Sequence, residues 1–119
     1  MALGKEQDFS MHSGDDRVLQ VTVRNPANAV VNISGATITW ALSKKSASSV
    51  EPKGSAIVTK TTSSGISITD GANGRCDVTL AEADTASLAG TYYHELQIVL
   101  SGDTSTVMYG TVTIKKDLI

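Results

Sequence analysis

With a single cysteine, Cys76, in 119 residues, the chain can form no intrachain disulfide and no cysteine-rich metal site. The two histidines, His12 and His94, stand too far apart to supply a metal-ligand or catalytic spacing, and the acidic residues show no pairing. No nucleophile and base can be named, so a non-enzymatic protein without cofactor or metal is expected. Excess charge is missing too: ten lysines and arginines against twelve acids, scattered singly, give a net charge of -2. That leaves no footprint for nucleic acid or for an anionic membrane. No stretch approaches the roughly 20 apolar residues of a membrane span, and the first residues lack the apolar core of a secretion signal. Synthesis in a reducing cytoplasm is the expectation. Aromatic residues make up only 4% of the chain, which limits sugar stacking.

What the chain has is alternation. Thr91 to Leu100 is its longest strand-like run, Ser101-Gly102-Asp103 carries turn chemistry, and Thr106 to Ile114 returns as the partner. Upstream, Arg17 to Arg24 places Leu19, Val21 and Val23 on one face, a half-buried strand that ends at the turn Asn25-Pro26-Ala27-Asn28. After the apolar bridge Val30, Val31, Ile33, the segment Ala36 to Ser43 aligns Ala36, Ile38, Trp40 and Leu42, with Trp40 directed to the core. Lys44 to Ser55 reads as a polar loop whose two lysines are solvated. Strands follow at Ala56 to Thr62, Ile66 to Thr69 and Arg75 to Leu80, the last two joined by Asp70-Gly71-Ala72-Asn73-Gly74. Cys76 shares its face with Val78 and Leu80 and reads as a small core group. Asp15, Asp16, Asp70 and Asp77 do not follow the alternating-oxygen pattern of a calcium loop and read as solvated acids.

Residues 81–88 favour a helical turn. A helical corner containing Asp84, followed by Tyr92 at the head of a long strand, predicts a tyrosine corner, in which the hydroxyl caps backbone a few residues upstream. His94 then falls two positions on, facing inward, and reads as a core histidine hydrogen-bonded to backbone. About seven strands with almost no helix predict an all-β, immunoglobulin-like antiparallel sandwich over residues 15–119. Residues 1–14 lack clear periodicity and read as a loose arm whose Phe9 and Met11 are candidate partner contacts.

Several segments together resemble the immunoglobulin-like amino-terminal domain of phage baseplate upper proteins, a module of tailed-phage virions. They are Gly14-Asp15-Asp16, Asn32 through Trp40 (NISGATITW), Gly65 through Asp70 (GISITD), Leu88 through Ile98 (LAGTYYHELQI) and Gly110 through Ile114 (GTVTI). The resemblance spans roughly residues 14–115 and implies a structural virion protein that meets other subunits through edges and loops, with no catalytic residues to carry over. Here the chain stops at Ile119 without the receptor-binding segments of that family, which points to a small free-standing component on tail, neck, baseplate or capsid surface. Assembly in the bacterial host cytoplasm and a homo-oligomer such as a trimer are expected with it. The alternative is a phage-surface adhesion or carbohydrate-binding module using Tyr93 and Tyr109, the aromatics expected on an outward face or at an interface.

Overall fold

The computed structural model describes residues 5–116 and residue 118. Strands β1 (Lys5–Glu6), β2 (Phe9–His12), β3 (Arg17–Thr22), β4 (Thr37–Lys45) and β5 (Pro52–Thr61) lead into β6 (Ile66–Asp70) and β7 (Arg75–Leu80). After the short helix α1 (Glu82–Thr85), β8 (Gly90–Leu100) and β9 (Asp103–Lys115) complete the chain. A six-stranded sheet has the order β1-β9-β8-β4-β5 with β2 also on β9, and a three-stranded sheet has the order β3-β7-β6. Their inner faces meet in one core, which makes the molecule an all-β, immunoglobulin-like sandwich.

The seven strands expected from alternation are β3 to β9. Period-2 burial is cleanest in β4, where Ile38, Trp40 and Leu42 are buried between more exposed neighbours. From the smaller sheet, Val21, Cys76, Val78 and Leu80 close over them, Cys76 fully buried as its apolar neighbours predicted. The β8–β9 hairpin pairs Leu100 with Asp103, and the two residues between them, Ser101 and Gly102, take φ of 52° and 84°. Left-handed backbone at both positions gives a turn whose twist matches its strands, so it sets the register of the hairpin. A bulge opposite Leu96 and Gln97 inserts an extra residue in β9, and Val107 and Met108 both become buried there.

The β6–β7 hairpin turns through a single 3-10 turn at Gly71–Asn73, closed by Gly74 at φ 71°. A side chain on Gly74 would sit 2.7 Å from the carbonyl oxygens of Val23 and Val31, so the tight packing of this hairpin against the β3 exit needs glycine.

Two expectations require correction. Residues 5–12, read as part of a loose arm, are strands: β1 and β2 run parallel to β9, with Lys5 opposite Met108 and His12 opposite Lys115. A four-residue strand whose partner lies near the other end of the chain has no local signature, because its hydrogen bonds are all long-range. The loop after β4 is also shorter than predicted. Lys44 and Lys45 continue the strand and Pro52 and Lys53 pair with them, leaving only residues 46–51 as the connection. Lysines fit a strand end whose side chains reach water.

Candidate functional site

A buried polar cluster lies beneath the first strands. Trp40 is fully buried and His94 is 1% exposed, both inside the six-stranded sheet. The Trp40 indole N–H donates to His94 Nδ1 at 3.0 Å, and His94 Nε2 lies 2.6 Å from the Gln7 carbonyl oxygen. Because that carbonyl can only accept, the proton sits on Nε2, and the imidazole is a neutral ring with both nitrogens used. Burial holds its pKa below the usual histidine range, against the opposing pull of the Gln7 bond and the Asp8 charge. Phe9 stands edge-on to the His94 ring at 5.1 Å, and the Arg17 guanidinium lies 5.1 Å from the Phe9 centroid. Arg17, Phe9, His94 and Trp40 therefore touch in succession, from the gap between the sheets to the middle of the core.

His94 was expected to be a core histidine bonded to backbone, and it is. Its backbone partner comes from the segment expected to be loose. Gly110, opposite His94 in β9, makes this possible: a β-carbon there would collide with the Gln7 carbonyl and lie 2.6 Å from the Asp8 carboxylate. Asp8 in turn accepts the Thr111 N–H at 2.8 Å, bridging the stretch where β1 and β2 part.

The tyrosine corner is present. The Tyr92 hydroxyl donates to the Ala89 carbonyl at 3.1 Å and accepts the Ala89 N–H at 3.2 Å. The adjoining α1 is pinned from both sides: Asp84 accepts the Ala81 N–H at 2.8 Å and pairs with Lys60 at 2.8 Å. Asp16 accepts the Glu82 N–H at 3.0 Å, and buried Thr85 accepts the Gly14 N–H at 3.0 Å. Partial burial raises the Asp84 pKa, but the Lys60 bond, the Ala81 N–H and the Lys60 charge outweigh it, and the net shift is downward.

The outer face of the six-stranded sheet is a second candidate surface. Rungs Ala41–Glu95–Tyr109 and Ser43–Tyr93–Thr111 cross it, because their neighbours Trp40, Leu42, His94 and Leu96 point inward. Threonines 39, 59, 61 and 113 extend the same face, and Glu6, Glu95, Lys45 and Lys115 are its charges. Tyr93 is on this face as predicted, yet only 8% exposed, and its hydroxyl donates to Glu95 at 3.3 Å. Burial and the neighbouring Glu95 push its pKa up to about 12. Tyr109 is half-buried beside it.

Of the candidate contacts, Met11 is 6% exposed and belongs to the core, whereas Phe9 is half-buried against it and keeps part of its ring at the surface. Gln7, Asp8 and Arg17 went unrecognised. Gln7 acts through its main chain, which no residue type announces, and Asp8 and Arg17 were legible only as isolated charges. Among the described residues, no three His, Cys, Asp or Glu side chains converge as a metal site would require.

No protein-family model matches the chain, and no curated protein does. Among solved structures, one titled Tim-1 is similar over 97% of this chain and 97% of its own, with 11% identity and a TM-score of 0.43.

Proposed function

We propose that this chain is a non-enzymatic structural component of a tailed-phage virion, assembled in the host cytoplasm and acting through contacts with other virion subunits and with copies of itself. The observation that carries the contact role is the outer face of the six-stranded sheet. Its rungs carry threonine, serine and alanine around Tyr93 and Tyr109, with Glu6, Glu95, Lys45 and Lys115 as charges on the same face. Tyrosine is enriched at interface cores, the charges can serve a polar rim, and a face of short side chains loses little rotamer entropy on docking. The virion assignment is supported by the ordered segments that resemble baseplate modules.

Immunogold electron microscopy of purified particles tests the reading. Label on head, neck or tail is the expected result, and its position names the neighbouring subunit; particles without label overturn the virion role. For the sugar-binding alternative, Tyr109 is the more accessible of the two tyrosines. Glycan-array binding abolished by Tyr109→Ala would be the result in its favour.

A further inference from the structure

Between the two sheets, on the side of β3, runs an open groove of about 740 Å³. One wall is β3 itself, which among the described residues pairs only with β7 and so leaves its other edge unpaired. The opposite wall is the Gln7–Phe9 stretch with β9, and Phe9, Leu19, Val107 and Met108 supply its apolar lining. Arg17 stands at one end of β3 and Arg24 just beyond the other, about 23 Å apart along an extended backbone.

The charges decide what fits. Among the described residues the only ion pair is Lys60–Asp84, so neither arginine has a carboxylate partner. Each spends one N–H on a backbone carbonyl, Arg17 on Ser10 at 2.9 Å and Arg24 on Asn28 at 3.0 Å, and keeps further donors open. The one carboxylate in the lining, Asp8, is engaged with the Thr111 N–H. An unpaired strand edge, an apolar trough beside it and an unneutralised cation near each end together specify an extended, acid-ended ligand. The other edges are less suited. The edge formed by β1 and β2 is interrupted at Gln7 and Asp8, β6 carries no cation and ends in Asp70, and the pairing of β5 with β4 is broken by an irregularity.

We infer that the free edge of β3 receives an extended segment of a partner protein as an added strand, with apolar residues at alternate positions and a carboxylate near each end to meet Arg17 and Arg24. The inference rests on the contact role proposed above only in taking the partner to be a protein. Its test uses the isolated full chain and is independent of where particles carry it.

The probe is a capped peptide of alternating valine and threonine with glutamate at both ends, titrated into the isotope-labelled chain and followed by amide NMR and hydrogen exchange. Shifts concentrated at residues 17–24, with new exchange protection in β3, are expected. Replacing the glutamates by lysine should weaken binding about tenfold or more, and Arg24→Glu should reverse that preference. Arg24 lies outside the core, so this variant keeps the fold; Arg17→Glu, which also removes the contact with Phe9, serves as the second variant. Shifts centred on β5 or on the outer sheet face, equal binding of the lysine peptide, or no saturable binding would overturn the inference. So would binding that appears only after removal of residues 1–4, since the edge would then belong to the chain's own first residues.

Discussion

His94→Leu is the sharpest test of how the core is held. Leucine fills much of the space of the imidazole, so the loss is chiefly one of hydrogen bonds. The Trp40 indole N–H and the Gln7 carbonyl both lose their partner. The buried indole N–H costs about 1–3 kcal/mol when orphaned and the part-buried bond to Gln7 about 0.5–1.5, so the variant should lose about 1.5–4.5 kcal/mol from a total of roughly 5–15. For a domain of this size that corresponds to a fall in Tm of about 6–18 °C. Trp40 is the sole tryptophan and fully buried, so its fluorescence reports unfolding of the His94 variant without ambiguity. The decisive measurement is a double-mutant cycle with Trp40→Phe, followed by circular dichroism because that variant lacks the fluorophore. Trp40→Phe alone strands His94 Nδ1, His94→Leu alone strands two groups, and the pair together strands only the Gln7 carbonyl. Two of the three groups stranded by the singles are thereby relieved, so the double variant should be more stable than the sum of the singles by about 2–6 kcal/mol. Additivity within about 0.5 kcal/mol, or a loss below about 1 kcal/mol in His94→Leu, would refute the argument that this ring is fixed by two obligatory bonds.

Acid should act on the same ring. His94 has a lowered folded pKa, so below the unfolded value near 6.5 the unfolded chain binds the extra proton. Stability should fall with pH from about 6.5 downward, by at most about 1.4 kcal/mol per unit, until the folded pKa is reached, and His94→Leu should abolish this window. Asp84 is lowered as well, so its contribution is present above the unfolded carboxyl value near 3.9 and is lost below it; urea titrations across pH separate the two. Gly110→Ala should displace the Gln7 carbonyl and cost about 1–3 kcal/mol, with faster hydrogen exchange confined to residues 5–12 and their β9 partners. Burial, aided by Asp77, pushes the Cys76 thiol up to about 11, and alkylation at pH 8 should proceed only as fast as the chain opens. Rapid labelling of the native protein would contradict the burial of that thiol.

The parts of the fold readable in the residues were those with local causes. Alternation marked β3 to β9, parity placed Trp40 and His94 inward, and Tyr92 after a helical turn marked the corner. What escaped has non-local causes. Phe9 and Met11 do alternate with Ser10, but the run is too brief to distinguish a strand from an arm, and it becomes one only because β9 offers an edge. Asp8 and Thr111 meet across 103 positions of sequence. Parity likewise set Tyr93 on the outer face, whereas its near-complete cover depends on how neighbouring strands register against it. The unpaired edge beside Arg17 and Arg24 is a property of sheet order, which no single segment encodes.

The parallel docking of the first strands on the last also sets how the molecule bears load. β1 enters opposite Met108 and β2 ends opposite Lys115, so the two chain ends leave this strand pair from opposite extremities. Tension between them slides the strands lengthwise, and the cross-strand bonds must yield together instead of parting one rung at a time as in a hairpin pulled open at its mouth. The β1–β2 contacts with β9, reinforced by the His94 bond to Gln7, thus carry such tension in shear where the first strands meet the last.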